Sequence, residues 1–376
     1  QDRFAPAMDL PTPVDYDALS ADGPEIVRER KRRGKKKLTG KKIALIVVAA
    51  VVAVLVVSVC AFALSIQNAK KNLQVAADEN VSVATPSTAV TYTEGQTVQY
   101  NGHTYELNKN IVSLVFIGVN VDNDQFAATA PGQADAVMAV AIDSSTGKVS
   151  IISIPRDSMV EVETSATGTS GTYTGMETMQ ICLAYNYGDG GATSAENTMR
   201  AVSRTLYSMP IKYYYALDIS GIGPMTDAID GVPVTALETI PNTSIEEGDG
   251  VILTGNNAVS YVRYRDTSDL ESSIARQERQ KQFIRAFIKQ AMSRAQGNVG
   301  DLVTLYNTAQ EYSTTNLGVS EFSYLASEMI SNGVNDVSVY SLDGTMTLGA
   351  SGYAEYNLDK DSVYQTVLDV YYTQVS

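Results

Sequence analysis

The chain has 376 residues, 44% of them hydrophobic, with 42 Asp and Glu against 28 Lys and Arg and a net charge of −14. That length can bury one large core or two modest ones, and so large an acid excess argues against nucleic acid as a partner of the bulk of the chain. One histidine and two cysteines exclude a multi-histidine metal site and a disulfide framework, so any chemistry rests on carboxylates, arginines or hydroxyls.

The first residue is Gln, so the natural start is expected to lie upstream. Residues 1–42 form a polar cytoplasmic tail, largely disordered by composition, that ends in a run of Lys and Arg. Residues 43–66 carry no charge and can cross a hydrocarbon core of about 30 Å, so one transmembrane helix is expected there. The basic cluster before it sets that side in the cytoplasm and everything after it outside the cell. A cleaved signal peptide would have a shorter apolar core and a shorter leading tail. The basic run itself reads as a topology signal that meets anionic lipid, not as a nucleic-acid patch. Cys60 falls in the span and Cys182 beyond it, so the two cannot bridge.

Residues 67–91 read as a polar stalk and residues 92–376 as one extracytoplasmic domain. Asn101-Gly102 between alternating segments is a hairpin signal. His103 sits beside that turn, which speaks against a Ser-His triad. Residues 111–119 form a strand leading into a polar loop, 120–133, that carries Asp122 and Asp124. Residues 136–142 and 149–154 are apolar runs of strand length joined by turn formers at 143–148, a buried hairpin. If Ile142 faces Val149, the antiparallel register puts Asp135 opposite Arg156, at the open end where Pro155 stops further pairing. Such a pair reads equally as a structural ion pair or as a functional site.

Residues 158–180 are rich in Thr and Gly, a surface excursion that could rim or cover that open end. Thr193 to Glu196 matches a capping box for a helix reaching Tyr207, with Arg200 and Arg204 one turn apart. Strands at 211–217 and 232–237 enclose a short helix at 220–229, an alternation that suggests an α/β sandwich. In LTGNNAVSYVRYRD, residues 253–266, the first part reads as a short helix and the end as extended chain, with Tyr261, Arg263 and Arg265 on one face and Val262 and Tyr264 on the other. Two guanidiniums side by side are usually held by an anion between them, and Arg matches phosphate oxygens in bidentate fashion; the alternative is two surface arginines, each with its own carboxylate. Residues 274–295 form a helix on which Arg276 and Gln280 share a face, Phe283 and Phe287 supply an apolar side, and Arg279 reads as a solvated charge. Helices at 301–312 and 320–330, a strand at 337–342 and a Tyr-rich C-terminal helix complete the domain. Beyond the membrane run, arginines occur only from Arg156 to Arg294.

Taken together, GVNVDNDQ, GQADAVMAVAIDSSTGKVSIISIPRDSM, ENTMRAVSRTLYSMPIKYYYALDISG, IDGVPV, LTGNNAVSYVRYRD and RQERQKQFI, spread in order over residues 112–295, resemble the LytR-CpsA-Psr family. The resemblance implies a membrane-anchored extracytoplasmic phosphotransferase, an α-β-α sandwich with a mixed central sheet and an apolar tunnel for a polyprenyl chain. It implies transfer of a glycopolymer, of wall teichoic acid or capsular polysaccharide type, from an undecaprenyl-pyrophosphate carrier to peptidoglycan. Carried over by position, the pyrophosphate-binding residues are Arg156, Arg263, Arg265, Arg276 and Gln280, and Asp135 is a ligand of Mg²⁺ or Mn²⁺. Two positions depart from the pattern: Gln133 stands where arginine is usual, and Asn120 where an aspartate follows the glycine of the first loop. Asp122 and Asp124 are the candidates to supply the missing carboxylate. Asp135, Arg156 and Arg263 are the expected catalytic residues, with Asp266 or a metal-bound carboxylate taking the proton of the attacking hydroxyl. The rival readings are a membrane-tethered regulator without catalysis, of transcription-attenuator type, and a pyrophosphatase that hydrolyses the carrier without an acceptor.

Overall fold

The computed structural model describes residues 67–70, 92–93, 97–120, 131–165, 173–266, 272–297, 300–332 and 337–376. The expected tail at 1–42, the expected transmembrane run at 43–66, nearly all of the stalk and the pair Asp122 and Asp124 lie outside the described residues. Among the described residues no helix is long and apolar enough to cross a membrane.

Asn101 and Gly102 both take positive φ, 49° and 82°, the left-handed pair that a two-residue hairpin turn needs. They join β2 (Thr97–Tyr100) to β3 (His103–Leu107), and β1 (Tyr92–Thr93) and the C-terminal β16 (Tyr372–Gln374) complete this small sheet. His103 is exposed at the turn, its Nδ1 3.0 Å from Gln374 Nε2.

The main sheet has six strands, β4 (Ile111–Asn120), β5 (Gln133–Asp143), β6 (Val149–Ile154), β9 (Tyr213–Asp218), β12 (Ser313–Thr315) and β13 (Val337–Ser341), in the order β12-β9-β4-β5-β6-β13. β5 runs antiparallel to both of its neighbours, β4 and β6, whereas β9 joins β4 and β13 joins β6 in parallel, so the sheet is mixed. Ile142 pairs with Val149 and Val137 with Ile154, the register read from the hairpin. Asp143 closes the turn by accepting from Ser145 N at 2.8 Å and Ser145 Oγ at 2.5 Å, the local side-chain bond that makes Asp a turn former.

Successive side chains of a strand point to opposite faces, and here both faces are covered. On one, Val115, Ile117, Ala139 and Ile152 pack with α1 (Ala192–Thr205) and α7 (Lys360–Tyr371). On the other, Met138, Ile142 and Ile151 meet α4 (Ser272–Gly297), α5 (Gly300–Gln310) and α6 (Val319–Asn332). This is the expected α-β-α sandwich, and it explains why β6 is buried at every position. A side lobe of α2 (Ile222–Asp227), β10 (Val232–Thr235), β11 (Gly250–Leu253) and α3 (Gly255–Arg263) has its own core around Val232, Leu253 and Tyr261, closed by Phe283 of α4. β10 pairs with β11 and not with the main sheet.

The excursion after β6 is a hairpin of β7 (Met159–Ser165) and β8 (Tyr173–Gln180), standing beside a second one of β14 (Gly344–Leu348) and β15 (Ala354–Leu358). A bridge from Ser158 to Tyr356 joins the two.

Two local expectations are corrected. α1 begins without a capping box: its N-cap is Gly191, with no side-chain cap bond, and Asp189 accepts instead from the N–H groups of Gly191, Thr193 and Ser194 at 2.8, 3.1 and 3.3 Å. A carboxylate two residues upstream thus satisfies donors that a helix leaves open at its start. Residues 261–263 are helical and not extended, since α3 runs to Arg263 and the chain opens out only at Tyr264. Tyr261 and Val262 are adjacent and both buried, which the end of a helix wedged into a core allows and a strand covered on one face does not.

Candidate functional site

β4 carries a bulge between Gly118 and Val119. A Cβ on Gly118 would stand 3.0 Å from that of Ala136, so glycine lets the two strands close there. The bulge sets the last residue of β4, Asn120, against Gln133 at the start of β5. Beyond β6 the ladder ends at Pro155 and Arg156 reaches across: Nη1 donates to Asp135 Oδ1, Nη2 donates to Gln133 Oε1 at 2.7 Å, and Nε lies 3.4 Å from Asp157 Oδ1. The contact between Asp135 and Arg156 read from the hairpin register is therefore formed. Cys182 Sγ lies 3.4 Å from Nη2. Burial pushes this thiol up to about 11, against the pull of Arg156, so at neutral pH it is a weak acceptor and not a counter-ion.

A cavity of about 540 Å³ opens at this end of the sheet, walled by Asp135, Arg156 and Asp157 from the strand ends and by Arg263, Arg265 and Arg276 from the α3–α4 region. Arg156 thus converges with three arginines that lie more than a hundred residues further along the chain. Their charges are unevenly matched. Arg156 has two carboxylates, Arg265 Nε donates to Ser272 Oγ at 3.1 Å, and Arg263 and Arg276 make no ion pair among the described residues. Burial pulls the Arg276 guanidinium below its usual pKa, partly offset by the nearby Asp135 charge. Guanidiniums that border a cavity with no ion pair among the described residues are placed to take an anion, because hydrogen bonds from a charged donor are the strong ones.

Arg279 is not the solvated charge its place in the sequence suggests. It is 1% exposed. Nη1 pairs with Glu238, Nε donates to the Tyr261 carbonyl at 2.9 Å, Nη2 donates to the Tyr264 carbonyl, and the group lies 5.4 Å from the centre of the Tyr264 ring. The last carbonyls of a helix lack intrahelical donors, and a cation at that end satisfies them. Here the cation comes from α4, so the bonds fasten the end of α3, where Arg263 and Arg265 stand, to the helix that carries Arg276. The Tyr261 hydroxyl reinforces the junction, donating to Gln282 Oε1 at 2.6 Å and accepting from Leu237 N at 3.0 Å. Gln280 Nε2 donates to the Val262 carbonyl at 3.3 Å.

Beside the cavity lies an apolar pocket of about 100 Å³ between sheet and side lobe, lined by Phe116, Leu217, Ile222, Met225, Phe283 and Phe287. Gln280 borders this pocket and not the cavity, and among the described residues Asp135 borders both. Asp266 is exposed and does not border the cavity. Asp157, Gln180, Leu183 and Tyr353 do border it, and sequence reading missed all four.

No group of three or more His, Cys, Asp or Glu that could hold a metal occurs among the described residues. Two suitable oxygen donors border the cavity: the Asp135 carboxylate, and Asn120, whose Oδ1 is buried without a hydrogen-bond partner. An orphaned buried carbonyl oxygen and a carboxylate on one cavity fit a hard divalent cation that takes its remaining ligands from phosphate and water.

The LytR_cpsA_psr family model matches residues 64–369. The chain is 25% identical over 248 residues to the polyisoprenyl-teichoic acid–peptidoglycan teichoic acid transferase TagV of Bacillus subtilis, a match covering 64% of this chain and 58% of that protein. It is 28% identical over 195 residues to TagU, of the same description, from Bacillus mycoides, covering 51% of this chain and 57% of that one. The chain therefore spans less than two thirds of the length of these relatives. The crystal structure of B. subtilis TagV matches the fold with a TM-score of 0.56 at 22% identity, over 70% of this chain and 97% of that one.

Proposed function

Because the chain belongs to the LytR_cpsA_psr family, we propose that it transfers a glycopolymer from a polyprenyl-pyrophosphate carrier to a hydroxyl of peptidoglycan, at the outer face of the membrane. The observation that carries this reading is the junction of two unlike cavities, one walled by four guanidiniums and the other apolar. A ligand with a doubly charged head and a hydrocarbon tail fits both at once. The apolar run at 43–66 would keep the site within reach of a lipid that cannot leave the bilayer.

Arg263, Arg265 and Arg276 hold the diphosphate, and Arg156, fixed by Asp135 and Gln133, completes the clamp. The acceptor hydroxyl oxygen attacks the phosphorus that bears the glycan, a new P–O bond forms, and the bond to the bridging oxygen breaks. Polyprenyl phosphate leaves, carrying the electron pair on that oxygen, while the glycan stays on the transferred phosphorus. Of the carboxylates assigned to the proton of the hydroxyl, Asp135 borders the cavity and Asp266 does not, so the assignment falls to Asp135. In phosphoryl transfer the protein mainly positions groups and neutralises charge, which four arginines suit. Asp135 and Asn120 would hold Mg²⁺ or Mn²⁺; when bound, such an ion neutralises charge on the phosphate oxygens. With one carboxylate and one neutral oxygen among the described residues, that ion would depend on the diphosphate for its other ligands.

The test is incubation of the full chain in detergent with a polyprenyl-pyrophosphate-linked glycan, peptidoglycan and Mg²⁺. Polymer bound to peptidoglycan, with equimolar polyprenyl phosphate, is the expected product. Carrier cleavage that needs no acceptor would make the protein a pyrophosphatase, and tight binding without turnover would make it a regulator.

A further inference from the structure

A diphosphate has nine non-hydrogen atoms, and even at the roughly 30 Å³ that each molecule takes in liquid water it would fill only about half of the 540 Å³ cavity. The rest of the space has a different wall. Beside the arginines stand Gln180, Leu183, Tyr353 and Ala354, none of them charged and none bordering the apolar pocket. Tyr353 is 70% exposed, at the end of a loop whose other residues are Gly349, Ala350, Ser351 and Gly352. No bulky neighbour in that loop can cover the ring.

The backbone that carries the ring is held in place. Gly349 N donates to the Tyr353 carbonyl at 2.8 Å, and Gly352, at φ 81°, closes the turn. Gln180 Nε2 donates to the Ala354 carbonyl at 2.6 Å, and Tyr356 N donates to the carbonyl of Asp157 at 2.8 Å. The hairpin is thus bonded to the same turn that carries Arg156. A lone exposed tyrosine needs no explanation; one that borders the uncharged part of this cavity on a bonded turn offers a flat apolar face to a ligand bound there.

We infer that the uncharged wall is a subsite for the sugar joined to the diphosphate of the donor, with the Tyr353 ring stacked on the C–H face of the pyranose. The inference rests on the transferase reading and adds to it the residue that senses the glycan. With the lipid in the apolar pocket and the diphosphate at the arginines, the first sugar is within one bond of the phosphate, and among the described residues this wall lies beside the arginines to receive it. Aromatic faces bind such ligands through burial and a quadrupole that favours C–H edges, and the effect is about tenfold in affinity for one ring.

Binding of two probes to the full chain in detergent tests it: geranylgeranyl diphosphate, and the same lipid with N-acetylglucosamine on its distal phosphate. Tyr353→Ala should weaken the sugar-bearing probe about tenfold and leave the sugar-free one unchanged, and Tyr353→Phe should restore wild-type affinity for both. Equal loss of both probes, or no loss of either, overturns the subsite while the transferase reading stands. A peptidoglycan fragment weakened by Tyr353→Ala, with donor binding intact, would move the subsite to the acceptor and overturn the assignment. If the wild-type chain binds neither probe, the transferase reading falls and the subsite with it.

Discussion

Arg279 Nε donates to the carbonyl oxygen of Tyr261 at 2.9 Å, across the junction between the helix that carries Arg276 and the helix end that carries Arg263. The bond matters because Arg263 and Arg265 are exposed, and an exposed arginine has no packing of its own to hold its direction. Arg279→Lys keeps a charge for Glu238 but cannot reach both carbonyls in the planar fork geometry. It should lower donor affinity about tenfold and, because a buried carbonyl loses its donor, lower the melting temperature as well. Glu238→Gln leaves a buried guanidinium without its counter-charge and should cost about 1–3 kcal/mol of stability. Calorimetric donor binding beside thermal unfolding separates the two effects, and full donor affinity in Arg279→Lys would refute the positioning role.

Arg156 and Arg263 should fail differently. Arg263 stands in solvent with no ion pair among the described residues, so Arg263→Ala should abolish transfer and leave unfolding unchanged. Arg156 bonds to Asp135 and Gln133 and holds the end of the central hairpin, so Arg156→Ala should abolish transfer and also lower stability by about 2–3 kcal/mol, since Asp135 loses its partner. Activity assays paired with denaturant titrations check this.

Filling the apolar pocket should change which donors are accepted. Met225 lines it together with Phe283, and Met225→Trp adds bulk there. Donors with long polyprenyl chains should bind at least tenfold more weakly, while inorganic pyrophosphate binds as before. Competition binding with both ligands reads the difference.

Acid should weaken the fold through Asp143. Burial raises its pKa, but hydrogen bonds from Ser145, Asn108 and Thr146 outweigh that, and the carboxyl sits below its usual value. A group whose folded pKa is depressed contributes stability above the unfolded value, about 3.9 for Asp, and loses it as pH falls through the folded value. Asp143→Asn should therefore be less stable than wild type at pH 7, by about 1–2 kcal/mol, and the gap should narrow as pH falls below the unfolded value. Thermal unfolding at pH 7, 5 and 3 measures it.

The central hairpin was legible because an antiparallel register is arithmetic: once Ile142 faces Val149, Asp135 and Arg156 must meet. The two covered faces were legible from apolar runs without alternation. Arg263 was misplaced onto a strand because Tyr261, Arg263 and Arg265 alternate with Val262 and Tyr264, and a period of two over five residues does not separate a strand from the end of a helix. The burial of Arg279 had one available signal, its place a turn before Phe283 on the apolar side of α4. The capping role of Asp189 hid behind a better-known pattern four residues later. Asp157, Gln180 and Tyr353 reach the cavity through a turn and two hairpins, and no local pattern in the chain marks their meeting.

The account stands on a diphosphate gripped by arginines with its lipid in the adjoining pocket. A crystal structure of the protein with geranylgeranyl diphosphate tests that directly. Both phosphates should lie within hydrogen-bond distance of Arg263, Arg265 and Arg276, with the isoprenoid chain running past Asp135 between Phe116 and Phe283. A diphosphate bound away from these arginines, or a chain lying on the surface with the apolar pocket empty, would contradict it.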